Sequence, residues 1–161
     1  DIGTIKAFWE ANIELTRPSP QFSFYQAEAP VFTHMRFLPP SKIQDSTLDR
    51  CLLSDGCLVS SAHLKDSIVG VRGQVGEGTH IENSVLMGAD YMEVEPGNMS
   101  IGIGKNCTIK NAIIDKNARI GDNAVITPEG KPDGTSTQRY TVRDGIIVIP
   151  KNSVIPAGSH L

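Results

Sequence analysis

Aliphatic side chains recur at intervals of six residues in two stretches of this chain. The first series is Val69, Val75, Ile81 and Met87, and the second is Ile114, Ile120 and Ile126. An α-helix repeats its apolar face every 3.6 residues and a strand alternates every 2, so a period of six indicates short straight segments joined by regular corners. The pattern predicts a parallel β-helix built from hexapeptide repeats, with one inward aliphatic side chain per segment.

Further hexads extend the pattern toward both ends of the chain. They begin at Leu53, Val59, Ile103, Ile109, Ile149 and Ile155. Small residues recur near the fifth position of a hexad, where the predicted interior is narrow: Cys57, Thr79, Cys107, Ala118, Ala124, Ser153 and Ser159. Gly and Asn fall at the predicted corners and tolerate unusual backbone angles. A β-sandwich would have longer strands and irregular turn spacing, so the pattern favours the coil.

The repeat is interrupted in four places. Val59 and Val69 are ten residues apart, and Ile109 and Ile114 are five apart. Residues 89–100 and 127–145 are polar, rich in turn-forming residues and outside the repeat. We expect both segments to be loops inserted into the coil, where solenoid proteins often carry function.

The N-terminal part of the chain does not follow the repeat. Residues 1–17 are predicted to form an amphipathic helix with apolar positions at Ile5, Phe8, Trp9, Ile13 and Leu15, capped by Thr4 or Asp1 and ended by Pro18 and Pro20. The coil need not supply a partner for this apolar face, so we interpret residues 1–17 as the tail of a domain outside this sequence. Residues 18–44 are an extended connector, and residues 45–161 form the β-helix.

Composition excludes several classes of protein. The net charge of −3 does not suggest a nucleic-acid partner. No apolar run approaches the length that spans a membrane. The odd number of cysteines, at repeat positions, indicates small core residues of a reducing compartment rather than a disulfide framework or a metal site.

Some segments are more specific than the repeat. They are Asp1–Thr4, Arg36–Ser41, Asn83–Tyr91, Ile101–Asn106, Ile113–Asp122 and Asp144–Ile149. Together they resemble the C-terminal part of ADP-glucose pyrophosphorylases (glucose-1-phosphate adenylyltransferases). The resemblance implies a left-handed β-helix behind a nucleotidyltransferase domain that makes ADP-glucose and pyrophosphate from ATP and glucose 1-phosphate. It also implies a tetramer, control by an anionic phosphorylated metabolite, and a place in the bacterial cytoplasm or the plastid stroma.

The same resemblance suggests roles for individual residues. Asp1 matches the family's Mg²⁺ ligand, although one carboxylate cannot hold Mg²⁺ alone, so we expect the isolated chain to be catalytically inactive. Lys116, Lys151 and Arg36 match the family's effector-binding cations. His34 stands where family members often have Gln, and we include it as a possible contact. Arg119 and Arg143 are additional candidates because they lie near these motifs in the sequence.

Two other functions are compatible with a hexapeptide coil. A hexapeptide acyltransferase would use a histidine between coils as a general base, and His63 and His80 are the candidates. A purely structural module would fix an oligomer without binding effectors. Binding of phosphorylated metabolites distinguishes the effector-binding interpretation from the structural one.

Overall fold

The computed structural model describes residues 2–94 and 97–161 as one helix followed by a long parallel coil. The elements are α1 (Ile5–Glu14), β1 (Lys42–Gln44), β2 (Thr47–Leu53), β3 (Leu58–Ser60), β4 (His63–Val69), β5 (Gln74–Val75), β6 (His80–Glu82), β7 (Val85–Leu86), β8 (Gly102–Ile103), β9 (Thr108–Lys110), β10 (Ala112–Ile114), β11 (Arg119–Ile120), β12 (Val125–Ile126), β13 (Thr141–Arg143), β14 (Ile146–Ile149) and β15 (Val154–Ile155).

The strands form three faces of a β-helix. The first face stacks β1, β3, β5, β8, β11 and β15 in that order, all parallel. The second face stacks the first halves of β2 and β4 with β6, β9 and β12, and the third face stacks the second halves of β2 and β4 with β7, β10 and β14. These two faces are joined because β2 and β4 run through both of them. The exception to parallel pairing is β13, which pairs antiparallel with β14. The predicted parallel β-helix is therefore confirmed.

The interior of the coil is filled by stacked aliphatic side chains. Ile81, Ile109 and Ile126 pair in register on the second face and are all buried. Neighbouring coils are offset by 16 or 17 residues where nothing is inserted, so successive inward residues lie five or six apart. The interval of ten between Val59 and Val69 is therefore two steps of five through buried Leu64.

The prediction that Met87 points into the interior of the coil was wrong. Met87 is only partly buried and packs outside the coil, whereas Leu86 joins the interior. The inward residues Ile81 and Leu86 are five residues apart, so a period of six selects the next residue, Met87. Adjacent residues of a strand point to opposite sides, so Met87 points outward.

The corners show why small and turn-forming residues recur. Six asparagines have positive φ, which Asn tolerates better than most residues: Asn83, Asn106, Asn111, Asn117, Asn123 and Asn152. Thr79 is fully buried and links two coils, since its Oγ1 donates to Gly104 O and accepts from Cys107 N.

All three cysteines are free, and burial raises the pKa of the Cys57 and Cys107 thiols.

Helix α1 packs on the outside of the third face, which corrects the expectation that its partner lies elsewhere. Thr4 is the N-cap and accepts a hydrogen bond from Ala7 N. Buried Ile13 packs against outward-facing Val85 and Ile113. Trp9 Nε1 donates to Asn83 O across 2.8 Å. The coil therefore supplies an apolar surface for the helix as well as a polar anchor.

Replacing Trp9 with Phe should lower the free energy of unfolding by about 1–2 kcal/mol, because Asn83 O loses its donor and the ring is smaller. Urea denaturation followed by circular dichroism measures the change. Glu10→Gln, at an exposed position of the same helix, is the control and should change stability little. Equal effects of the two substitutions would contradict the docking of α1 through Trp9.

Most of residues 18–44 are exposed, but this connector is not extended throughout, because turns fall at residues 24–25 and 27–28. The coil starts earlier than residue 45. Strand β1 already pairs in register with β3. Among the apolar side chains of this connector, Leu38 is partly buried, whereas Phe32 and Phe37 are about nine-tenths exposed (92% and 88%). No helix among the described residues is long and apolar enough to cross a bilayer.

Candidate anion-binding site

Lys116 and Lys151 converge on the carboxylate of Asp90. Their Nζ atoms lie 3.0 Å from Asp90 Oδ1 and 2.7 Å from Oδ2, respectively. The hydrogen bond from Lys151 is the largest cause that holds the pKa of the Asp90 carboxyl well below its usual range, and the bond from Lys116 adds to it. The hydrogen bond to Asp90 in turn raises the pKa of Lys151. The two cations proposed from the sequence therefore share one surface and one partner.

The winding of the coil explains this convergence. Ile114 pairs in register with Ile149, so Lys116 and Lys151, each two residues further on, lie at the same corner of consecutive coils. Both corners follow the third face. Two cations 35 residues apart in sequence thus lie beside each other, because that is the offset between these coils.

Asn117 holds Asp90 in place beneath the lysines. Its side chain accepts from Asp90 N at 2.8 Å and donates to Asp90 Oδ2 at 3.1 Å. The same amide nitrogen also donates to Asn152 Oδ1 in the next coil. Asn117 is buried and has a φ of 60°, so it serves both as a corner residue and as the scaffold of the site.

A cleft of about 390 Å³ opens beside this cluster. Its walls include Arg36 and His34 from the connector, Arg72 from the coil, and Asp90 and Lys116. Arg72 is anchored because Nη1 donates to Ala89 O at 3.2 Å. Three of the four residues proposed from the sequence (His34, Arg36 and Lys116) thus line the cleft, whereas Lys151 is outside the lining and pairs with Asp90, which belongs to it.

Sequence reasoning missed two residues of this site, Arg72 and Asp90. Arg72 lies two residues after Gly70, and Asp90 lies within the segment Asn83–Tyr91, which resembles the family but did not by itself indicate an effector contact. The available signal was the offset between coils: Val69 pairs with Leu86, which places Arg72 at the same corner as Ala89. An offset of 17 residues places Arg72 beside Ala89, whereas the contact of Asp90 with Lys116 lies across a coil that contains an insertion.

Arg119 and Arg143 are not among the residues that line the cleft. Arg119 instead pairs with Glu93 and donates to Met99 O, so it holds these two residues against the coil. Its guanidinium holds the pKa of the Glu93 carboxyl below its usual range. Arg143 lies on β13, where Nη1 donates to Val142 O.

His63 and His80 stack on the outer surface of the second face, with ring centroids 4.8 Å apart and planes at 14°. Within residues 2–94 and 97–161, no group of three or more His, Cys, Asp or Glu side chains is placed to hold a metal ion. Asp1, the predicted Mg²⁺ ligand, lies outside the described residues.

Comparison with known proteins agrees with this architecture. Residues 36–159 match the family profile of the GLGC left-handed parallel beta-helix domain. The chain is 43% identical over 170 aligned residues to the glucose-1-phosphate adenylyltransferase small subunit, chloroplastic/amyloplastic, of Triticum aestivum. The alignment covers 99% of this chain and 36% of that relative, so the chain spans about a third of the relative's length.

The fold and the profile together define a left-handed parallel β-helix of the GLGC type, with a cationic cluster at one corner of the coil. Within that class, the identity along nearly the whole chain is decisive. The chain belongs to the glucose-1-phosphate adenylyltransferase family.

Proposed function

We propose that this chain is the regulatory and oligomerisation β-helix of a glucose-1-phosphate adenylyltransferase, and that Lys116, Lys151, Arg36 and Arg72 bind an anionic phosphorylated effector. The observation that carries the proposal is the convergence of both lysines on one carboxylate beside a cleft that also contains two arginines. Converging cations are the usual means of binding a phosphoryl group in proteins. His34, on the same wall, would contact the ligand or its carbon skeleton.

The reaction itself would take place in the rest of the enzyme. ATP and glucose 1-phosphate would bind to a nucleotidyltransferase domain, and the products would be ADP-glucose and pyrophosphate for glycogen or starch synthesis. Mg²⁺ would be held by Asp1 together with groups of that domain and substrate oxygens, since it prefers several oxygen ligands. The role of the β-helix would be to transmit effector binding to that domain.

The exposed connector supports a role in assembly. Phe32, Phe37 and Tyr25 are at least 84% exposed, which is unusual for three aromatic side chains in one short segment. We propose that they pack against the catalytic domain or a neighbouring subunit, within a homotetramer or heterotetramer. The plastid relative suggests the plastid stroma as the location, with the bacterial cytoplasm as the alternative.

In the complete enzyme, Lys116→Ala or Lys151→Ala should raise the half-saturating effector concentration by about tenfold, since each removes a charged hydrogen-bond donor. Turnover without effector should stay largely intact. Activation assays with inorganic phosphate, a sugar phosphate and a phosphoglycerate measure the effect. Lys105→Ala is the control, because Lys105 is exposed and pairs with Glu77 elsewhere. Unchanged effector responses in both lysine variants would remove the regulatory assignment.

The acyltransferase alternative gains no specific support from the structure. The stacked histidines lie on the outer surface of the second face with Lys65 and Glu82 nearby, and their rings contact each other. Turnover of an acyl-CoA would be the result that favours this alternative over effector binding.

A further inference from the structure

The two lysines of the candidate site already have an anionic partner within the chain. Asp90 accepts from both ammonium groups and from the Asn117 amide, with one carboxylate oxygen on Lys116 and the other on Lys151. We propose that Asp90 is a resident counter-ion that occupies the anion site and determines which ligands can enter it. This inference rests on the proposed function of the same site.

The carboxylate mimics part of a phosphoryl group. Two oxygens of one planar group are each directed at a different ammonium group, at 3.0 and 2.7 Å. A phosphate that bridges the same lysines would place two of its oxygens in these positions. The ligand and the Asp90 carboxylate therefore compete for the same donors and cannot both use them fully.

The contacts are exchangeable because the cluster is partly open to solvent. The side chains of Lys116, Lys151 and Asp90 are 36%, 49% and 37% exposed. Ion pairs with this much exposure are held weakly, since water and salt screen them. A ligand with more charge than a carboxylate can displace Asp90 without unfolding the corner.

The resident carboxylate would act as a selectivity filter. A monoanionic carboxylate ligand offers one charge and two oxygens, which Asp90 already provides without any loss of translational freedom. A phosphoryl group at neutral pH carries nearly two charges and three oxygens. Asp90 would thus exclude simple carboxylates and admit phosphorylated ligands.

The scaffold survives removal of the carboxylate charge, which makes the idea testable. Asp90 N donates to Asn117 Oδ1, and Asn117 also binds Asn152, so neither contact depends on the Asp90 side chain. Asp90→Asn should therefore keep the corner in place while removing the competing charge.

Titration of the 161-residue chain with inorganic phosphate, followed by ³¹P NMR, tests the proposal. Asp90→Asn should lower the phosphate Kd about fivefold or more, since a charge at contact distance is removed even where water screens it. Asp45→Asn is the matched control, because it changes net charge equally at an exposed corner of the first coil. In Asp90→Ala, acetate should compete with phosphate by filling the vacated position, whereas in the unmodified chain it should not.

The outcomes separate this proposal from the one on which it rests. If Lys116→Ala and Lys151→Ala lose phosphate binding but Asp90→Asn binds no more tightly than the unmodified chain, the site stands and the counter-ion role of Asp90 is overturned. If the lysine variants bind phosphate as the unmodified chain does, both proposals fail. Equal gains in Asp90→Asn and Asp45→Asn would reduce the effect to net charge and also overturn the role of Asp90.

Discussion

Ile109→Ala should lower the free energy of unfolding by about 2–5 kcal/mol, the range measured for truncating a fully buried aliphatic side chain. Ile109 has no exposed surface and lies in the middle of a column between Ile81 and Ile126. Coils lie only about 4.8 Å apart along the axis, so the neighbours cannot collapse into the vacated space without breaking their hydrogen bonds. Most of the cavity should therefore persist.

The neighbouring lysine provides the control for Ile109. Lys110 alternates to the outside of the same strand and makes only a long ion pair with Glu82, at 3.8 Å. Lys110→Ala should change stability by no more than about 0.5 kcal/mol, as is usual for exposed positions. Urea denaturation of both variants measures the difference. A cost for Ile109→Ala as small as that of Lys110→Ala would contradict a packed aliphatic column at this position.

The architecture could be read from the sequence because a coil repeats one local rule. Each straight segment needs one inward aliphatic residue, and each corner needs a residue that accepts unusual backbone angles. Ile114, Ile120 and Ile126 satisfy this rule, and all three are buried. The prediction failed at Met87 because inward residues can be five residues apart instead of six, and a constant period of six does not allow for this.

The docking of α1 could not be inferred from the six-residue period. That period describes inward positions, whereas the helix binds outward ones. The doublets Val85-Leu86, Ile113-Ile114 and Ile146-Ile147 each bury one side chain in the interior and one beneath the helix. Pairs of adjacent aliphatic residues on one face of a coil were the signal for an apolar outer surface, because strands alternate their side chains between the two sides.

The candidate site was predicted only in part for a related reason. Lys116 and Lys151 came from the resemblance to the family, which names residue types and not the partners they meet. Asp90 lies 26 residues from Lys116, and this separation depends on the lengths of the coils that contain insertions. Sequence alone did not give those lengths, because two insertions alter the offset to 28 and 35 residues.

The corner that carries the site depends on a close approach of two backbones at Gly88. Gly88 has a φ of 79°, and a Cβ added there would lie 2.2 Å from Val71 O and 2.7 Å from Gly70 O. Backbone atoms cannot rotate away as a side chain can, so the coils would have to separate. Gly88→Ala should therefore lower the free energy of unfolding by about 3 kcal/mol or more, because the cost of a positive φ adds to the cost of overpacking.

Gly145→Ala separates these two costs. Gly145 has nearly the same φ, 74°, but a Cβ there would meet nothing within 4 Å. Gly145→Ala should therefore lower the free energy of unfolding by only about 1–2 kcal/mol, which is the cost of a positive φ alone. Urea denaturation compares the two variants, and equal losses would mean that close packing at Gly88 does not matter. Separation of these two coils at Gly88 would also move Arg72 away from Lys116 across the cleft, so phosphate binding should weaken in Gly88→Ala and stay unchanged in Gly145→Ala.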